Sequence, residues 1–475
     1  MPSVIDTEIC VLGGGPAGAT VARKLAQLGH TVCLLTTASA PRRRPGESLP
    51  ASILPLLEGL GLRQTIEDAG FLRPDGTLLH WSSAGPTRIP SPGERGFQVD
   101  RARFDAVLLN AACQSGVDLR QCTDVGLPQR QPGHGWSLRG RTIDTAPLQL
   151  QAQVLVDATG RRGLRPRQRL RTTTPTLALY GSWHGVQLDG PETRIEAGPE
   201  AWYWGAPLPD GRVNAAVFLD PAVCAGAGRT GLLRLYRAYL ARSHLLHSCL
   251  AGHPVGPVLV CAATGYIAAQ PIARDCLRVG DAACALDPLA SQGVHMALLS
   301  ALQGSIALHT ILTMPGEADS AFAFYRARQE DAVARSRRVA AELYAAADRF
   351  AERPFWQRRA TPAVVTPASA HGPAVVAPLH PDQGLRLSET LRIVATPAIV
   401  GDLIRRVPAL VHPTLAQPVA FLGATALAPL LTDFVAGRTA EAVLQRWTQH
   451  MALRDGRRIL HWLWQQGIVL PATPA

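Results

Sequence analysis

The chain has 475 residues, a net charge of +11, 47% hydrophobic and 17% charged side chains, a balance that fits a globular chain and excludes a disordered or fibrous one. Its length exceeds what one core organises and predicts two or three domains. Of the 47 basic residues only Lys24 is a lysine, and the longest basic run is Arg42-Arg43-Arg44 with no aromatic-interleaved stripe beside it, so nucleic acid is not an expected partner.

The nine cysteines contain no Cys-x-x-Cys pair, which points to reduced, buried thiols in the cytoplasm and to no metal centre. Asp6 and Glu8 precede the first apolar run and no basic lead-in stands before them; a signal peptide is not expected. No apolar stretch reaches membrane-spanning length without Gly, Pro or polar breaks.

In chain order, residues 8–12 read as a buried strand. A glycine-rich turn, a helix from about Pro16 to Leu28 and a second strand over 31–35 follow. This β-turn-α-β unit implies parallel strands and a right-handed crossover. Helices are predicted over 50–67 and 101–114, from apolar residues recurring at helical spacing. Strands are predicted near 117–122 and 153–157. Residues 175–219 alternate and carry turn signals such as Asp210-Gly211, which predicts an antiparallel sheet. A strand, turn and helix return at 276–300, and a polar helix runs over about 317–350. The expected domains are 1–170 with 262–350 as a discontinuous dinucleotide-binding domain, an inserted sheet domain over 171–261, a linker over 351–383, and a small helical domain over 384–475. That last domain ends in amphipathic helices near 438–451 and 454–466.

Gly13-Gly14-Gly15-Pro16-Ala17-Gly18 matches GxGxxG between a strand and a helix. Gly13 permits the tight turn, Gly15 lets backbone approach a pyrophosphate, and Gly18 lets helix pack on strand; the phosphate then sits on the free N–H groups of the helix start. The acidic residue usual at the end of the second strand is absent. Thr36 stands near that place and offers a hydroxyl to a ribose.

Five motifs in order carry a resemblance: Gly13–Gly18, Gly46-Glu47-Ser48-Leu49-Pro50, Arg101-Ala102-Arg103-Phe104-Asp105, Asp157-Ala158-Thr159-Gly160, and Gly280-Asp281 with Asp287-Pro288-Leu289. Over residues 5–345 the chain resembles the flavoprotein monooxygenases of the para-hydroxybenzoate hydroxylase superfamily. The implied fold is α/β, an FAD-binding Rossmann-like domain of the GR2 type with an inserted antiparallel sheet for the substrate. The implied cofactor residues are Gly13, Gly15, Ala17, Gly18, Thr36, Ser48, Arg101, Asp281 at the ribityl chain, and Pro288, Gln292, Gly293 and Val294, which bring a helix N-terminus to the flavin ring. Within the superfamily, Trp202-Tyr203-Trp204-Gly205-Ala206-Pro207 and Asp287–Val294 resemble motifs of the tryptophan halogenases, which implies a substrate pocket at Trp202, Trp204 and Pro207.

Halogenases of that group act through a lysine beyond the second strand and, for tryptophan, a glutamate just before the Ser/Thr-x-Gly turn. Here the only lysine is Lys24, expected to face solvent, and the glutamate place is Ala290. Arginine cannot replace the amine, because it stays protonated. The reading is therefore aromatic hydroxylation by a flavin hydroperoxide, with O2 and reducing equivalents from NAD(P)H or a separate flavin reductase. His295 is the first candidate for handling protons and Glu47 the second. The resemblance extends to maturation flavoproteins of tryptophylquinone enzymes, which implies a polypeptide partner, the small subunit of quinohemoprotein amine dehydrogenase. A small aromatic metabolite, halogenation, isoprenoid reduction and a non-catalytic FAD scaffold stand as alternatives.

Overall fold

The computed structural model describes residues 4–37, 47–91, 93–131, 135–164, 168–360, 378–435 and 437–472. The chain separates into two compact units: Met1–Ala318 with Tyr325–Ala363, and Asp319–Phe324 with Val364–Ala475.

Two large sheets carry the described part of the first unit. One has seven strands in the order Cys276–Arg278, Pro147–Asp157, Val4–Leu12, Val32–Thr37, Asp118–Val125, Gly135–Thr142, Gln129–Gln131. The first five run parallel and the last two close antiparallel. Parallel strands are buried on both faces, which accounts for the unbroken apolar run Ile9–Leu12. In the register Leu12 lies beside both Leu35 and Asp157, so Gly13, Thr36 and Ala158 leave the sheet together at its carboxyl edge. The Pro16–Gln27 helix starts with Pro at its first turn, where no amide is needed, and buries Ala17, Ala19, Val21, Ala22 and Leu25. Lys24 is half-buried rather than solvent-facing. It lies in the last turn of that helix, where the carbonyl end of the dipole favours a cation and its aliphatic stem covers apolar surface.

The second sheet has eight strands. Leu177–His184, Val213–Leu219, Trp202–Pro207 and Thr193–Ala197 pair antiparallel, as the alternation predicted. Gly76–His80 then adds to Thr193–Ala197 in parallel, an extension from far upstream that the local pattern did not show. Each face has its own cover. Leu179, Trp183, Tyr203, Val213, Ala215 and Val217 pack with Tyr236 and Leu240 of the Pro221–Leu240 helix. Ala178, Tyr180, Trp202, Ala216 and Phe218 pack with Leu289, Tyr344 and Trp356. The Pro354–Ala360 helix, inside the expected linker, buries Phe355, Trp356 and Arg359, so 351–360 belongs to the packed body. Residues 361–377 lie outside the described residues.

The second unit is not all helical. The helices Ala440–Trp447 and Leu453–Gln465 are present near their expected places. Beside them stand a hairpin, Arg392–Val400 with Leu403–Val411, and a three-stranded sheet of Gly384–Leu387, Arg438–Thr439 and Val469–Pro471. The β-branched pairs Ile393-Val394 and Ile399-Val400 suit a strand, and Pro397 and Pro408 would break a helix. Trp447 and Trp464 are buried in this unit's core.

Among the described residues, one helix, Gly293–Thr313, is long and apolar enough to cross a membrane by composition, but 61% of its most apolar window is buried. It packs against the Pro16–Gln27 helix as a core element.

The thiols give a test of this packing. Burial pushes the Cys33, Cys249 and Cys284 thiols up to about 12, while Cys113 is exposed. Thiolate is the reactive form. Iodoacetamide on the native protein should modify Cys113 first by peptide mass mapping; early modification of Cys33 or Cys284 would contradict the packing.

Candidate active site

At the carboxyl edge of the first sheet, backbone meets backbone. Gly13 has φ +110, a left-handed conformation that favours glycine, and a Cβ there would lie 2.4 Å from the Ala158 carbonyl oxygen. A Cβ on Gly18 would lie 1.7 Å from the Gly13 carbonyl oxygen, and one on Gly14 2.6 Å from Thr36 Oγ1. The turn is thus a bare cradle: Gly15 caps the helix without a side-chain bond, and the Ala17 and Gly18 amides have no acceptor within the helix. Thr36 is half-buried and its hydroxyl stands over the turn.

Two further segments converge here. Asp157 accepts from Thr159 N at 3.1 Å, Thr159 Oγ1 at 2.6 Å and Leu164 N at 2.9 Å, which shapes the Asp157–Gly160 turn from within. Its carboxylate is fully engaged in the loop. The Gly280–Ala282 turn sits against the helix start: Gly280 has φ +58, and a Cβ there would lie 2.7 Å from the Ala17 Cβ. Gly280 N donates to Ser300 Oγ at 2.8 Å. Asp281 is half-exposed and forms an ion pair with Arg161 at 3.4 Å, while its carbonyl accepts from Tyr266 at 2.7 Å. Arg161 was not singled out in the sequence; its place directly after Asp157–Gly160 was the available signal.

Ser48 bonds Thr193 between hydroxyls at 2.9 Å, and buried Gln98 donates to the same Thr193 at 3.2 Å. Ser48 therefore joins the Glu47–Leu49 strand to the second sheet. The Glu47 side chain lies outside the described residues. Arg101 opens the Arg101–Gln114 helix and pairs with Asp105 one turn on at 3.0 Å.

The turn before the Gly293–Thr313 helix is tightly held. Asp287 is buried, accepts from Leu289 N at 3.0 Å, and accepts from the Tyr344 hydroxyl at 3.3 Å. Burial raises its carboxyl above the usual range, against the pull of those donors and of Arg359 and Arg161. Pro288 opens a 3-10 turn, Ser291 is left-handed at φ +49 without being glycine, and Gln292 caps the helix. A non-glycine residue in that region stores strain. Gly293 is exposed and Val294 is buried in the core with Phe97, Val99 and Phe104. His295 is half-buried in the first helical turn, and burial lowers its imidazole below the ordinary value.

Trp202 was expected at the substrate pocket. It is buried and stacked on Phe218 at 3.7 Å, held by the cross-strand pairing of these two residues. Trp204 and Pro207 are half-buried at the same strand. Among the described residues, no His, Cys, Asp and Glu group can hold a metal ion.

The arrangement fits a dinucleotide with its pyrophosphate on Gly13–Gly18, its ribose toward Thr36 and its far end toward Asp281 and Pro288–Gly293. The tryptophan halogenase family model matches residues 80–370. A tryptophan 2-halogenase of Chondromyces crocatus is 31% identical over 350 residues, 68% of this chain and 64% of that protein, so the chain spans less than two thirds of that relative. The flavin-dependent halogenase armH3 of Armillaria mellea is 26% identical over 72% of this chain and 74% of its own length. Among solved structures, the peptidyl tryptophan dihydroxylase QhpG, described as essential for tryptophylquinone cofactor biogenesis, superposes with a TM-score of 0.74 and 28% identity, covering 97% of this chain and 99% of that one. The flavin-dependent halogenase CmlS shares the fold at a TM-score of 0.76 and 19% identity, over 98% and 96%.

Two outcomes follow from the geometry. Alanine for glycine in a helix ordinarily stabilises by about 1 kcal/mol, yet Gly18→Ala should lower the urea midpoint and abolish flavin retention, because its methyl meets backbone that cannot yield. For His295, the folded protein disfavours the protonated form while the unfolded chain accepts it, so stability falls as pH drops below 6.5. Urea midpoints across that range should decline less steeply in His295→Gln than in the parent.

Proposed function

Because the chain belongs to the tryptophan halogenase family of flavin-dependent oxidoreductases, we propose that it is an FAD-dependent monooxygenase that hydroxylates an aromatic ring, the ring being a tryptophan held in a polypeptide. The observation that carries this reading is the lysine count. Halogenation in the family runs through a lysine amine, and the one lysine here, Lys24, sits in the last turn of the helix that follows the glycine motif. That turn is at the far end of the helix from the cradle: Lys24 follows Gly18 by six residues, at about 1.5 Å per residue. Arginine, the other 46 basic residues, stays protonated and cannot form the same adduct. The likeness to a peptidyl tryptophan dihydroxylase over 97% of the chain supports the choice of substrate.

Reduced FAD, when bound, supplies the activation of molecular oxygen. The chain supplies the rest. Gly13, Gly15, Ala17 and Gly18 would hold the pyrophosphate and Thr36 the ribose. Asp281 would exchange its Arg161 partner for a ribityl hydroxyl, and Ser48 and Arg101 would border the site. The helix start at Pro288, Gln292, Gly293 and Val294 would place its positive end at the flavin ring and stabilise negative charge there. His295, whose protonated form burial disfavours, would be the first candidate for handling a proton, with Glu47 as the second. Trp204 and Pro207 would flank the substrate ring. Electrons would come from NAD(P)H or from a separate flavin reductase, since the sequence holds a single dinucleotide fingerprint. The arginine-rich chain would speed encounter with an acidic polypeptide, the small subunit of quinohemoprotein amine dehydrogenase being the proposed partner.

The family's own activity, halogenation, is the second reading, favoured by the relatives' descriptions. One experiment separates them. The protein is incubated with reduced FAD, O2, chloride and the tryptophan-bearing small subunit, and the polypeptide is weighed by mass spectrometry. Gain of one or two oxygen atoms, retained in Lys24→Arg, is expected. Gain of chlorine instead would overturn hydroxylation, and oxidation of free aromatic molecules with the polypeptide untouched would overturn the polypeptide substrate.

A further inference from the structure

The inner face of the second sheet holds a contiguous set of oxidisable rings. Leu289, in the turn expected to face the flavin, packs in the same buried cluster as Trp202, Tyr344, Trp356 and Trp81. The Trp202 indole N–H is buried and outside hydrogen-bond geometry, yet it lies close enough to the Tyr344 hydroxyl to act on its acidity. Tyr344 and Trp356 have ring centroids 5.9 Å apart, and Trp356 and Trp81 5.2 Å apart. Trp81 is two residues from exposed Ser83.

We propose that Trp202, Tyr344, Trp356 and Trp81 form a relay that carries a one-electron oxidation from the Pro288–Ala290 turn toward the surface, with Asp287 taking the phenolic proton of Tyr344. In the central step a one-electron oxidant, a tryptophan radical cation on the neighbouring ring, removes an electron from Tyr344. The O–H bond breaks, its proton passes to the Asp287 carboxylate, and a neutral tyrosyl radical and a restored tryptophan remain; onward, the tyrosyl radical takes an electron from Trp356 and the proton back from Asp287, leaving the oxidation on Trp356. The hydroxyl already points at both carboxylate oxygens, at 3.3 and 3.4 Å, so the proton has a place to go without solvent.

Core filling alone does not require this pattern. Phe218, Phe350 and Phe355 supply bulk around the set, stacked on or against Trp202 and Trp356, and resist oxidation. The three oxidisable rings beyond Trp202 each keep a polar acceptor instead: Tyr344 on Asp287, Trp356 Nε1 on the Gly198 carbonyl at 2.9 Å, and Trp81 Nε1 on the Leu343 carbonyl at 2.7 Å. Oxidation acidifies an indole N–H, and an acceptor in place steadies the oxidised ring. Such a route would draw stray oxidising equivalents away from the site. That use rests on the oxygen activation proposed above; the relay itself does not.

The test therefore needs no turnover. A ruthenium(II) complex is attached at Ser83→Cys in a Cys113→Ser background of the full chain, and a laser flash with a soluble quencher generates ruthenium(III) beside Trp81. Transient absorption should show a tryptophan radical giving way to a tyrosyl radical, more slowly in D2O because a proton moves with the electron. Trp356→Phe should remove most of the tyrosyl yield and Tyr344→Phe all of it, with unfolding midpoints confirming that both variants fold. An unchanged tyrosyl signal in either variant overturns the relay. Loss of hydroxylation in the parent protein, with this radical transfer intact, would count against the proposed reaction and not against the relay.

Discussion

Everything at the cofactor cradle depends on one contact between main chains. The start of the Pro16–Gln27 helix touches the end of the Val4–Leu12 strand so closely that a single methyl on Gly18 would lie 1.7 Å from the Gly13 carbonyl oxygen. The same closeness recurs where Gly280 meets Ala17. Three segments from distant parts of the sequence can share one edge of the sheet because none brings more than a methyl side chain to the point of meeting. The amides freed by that arrangement, and the helix dipole behind them, give the edge its preference for a phosphate. The second sheet, the long core helix and the Pro288–Gly293 turn are then arranged around a site already fixed by glycine.

Much of this was legible because the signals were local. GxGxxG, the Asp157–Gly160 turn and the Gly280-Asp281 pair each carry their own geometry in a few residues. The turn signals over 175–219 marked an antiparallel sheet, though both of its faces proved to be covered. What escaped was set by distance along the chain. Gly76–His80 joins the second sheet more than a hundred residues before its partner strand, and nothing in its own pattern names that partner. The Pro221–Leu240 helix begins in a run of Ala and Gly and is interrupted at Gly228, which has φ +62; weak propensity and a left-handed glycine hide a helix held by packing. The hairpin over 392–411 carries two prolines, which disguise a strand as readily as they forbid a helix. The site shows the same division. Asp287 was visible as part of a motif, but its partner Tyr344 lies 57 residues away, and no spacing rule links them. Trp202 was read as a pocket residue from its motif; its stacking on Phe218, across the strand, is a contact the motif does not name.

Arginine's dominance over lysine has a structural side as well as a surface one. Arg194 is buried and donates to the carbonyls of Asp189, Gly190 and Glu192. Arg359 is buried and ties Asp220, Pro175 and Thr176 together. A planar, permanently charged fork can hold several oxygens at once, whereas an ammonium would hold fewer and would shed its proton when buried. The chain uses this property to fasten loops at both ends of the second sheet.

The central strands of that sheet have no solvent-facing side; every residue of Val213–Leu219 is buried. A side chain there pointing away from the cofactor is as deeply packed as one pointing toward it, so a substitution on either surface shifts the whole layer. Variation in what the enzyme accepts must then enter through the strand ends and the connections between them. A lineage built on this frame can change its clientele by rewriting loops while the central strands stay nearly constant, and a search for divergent specificity among such chains belongs at those borders.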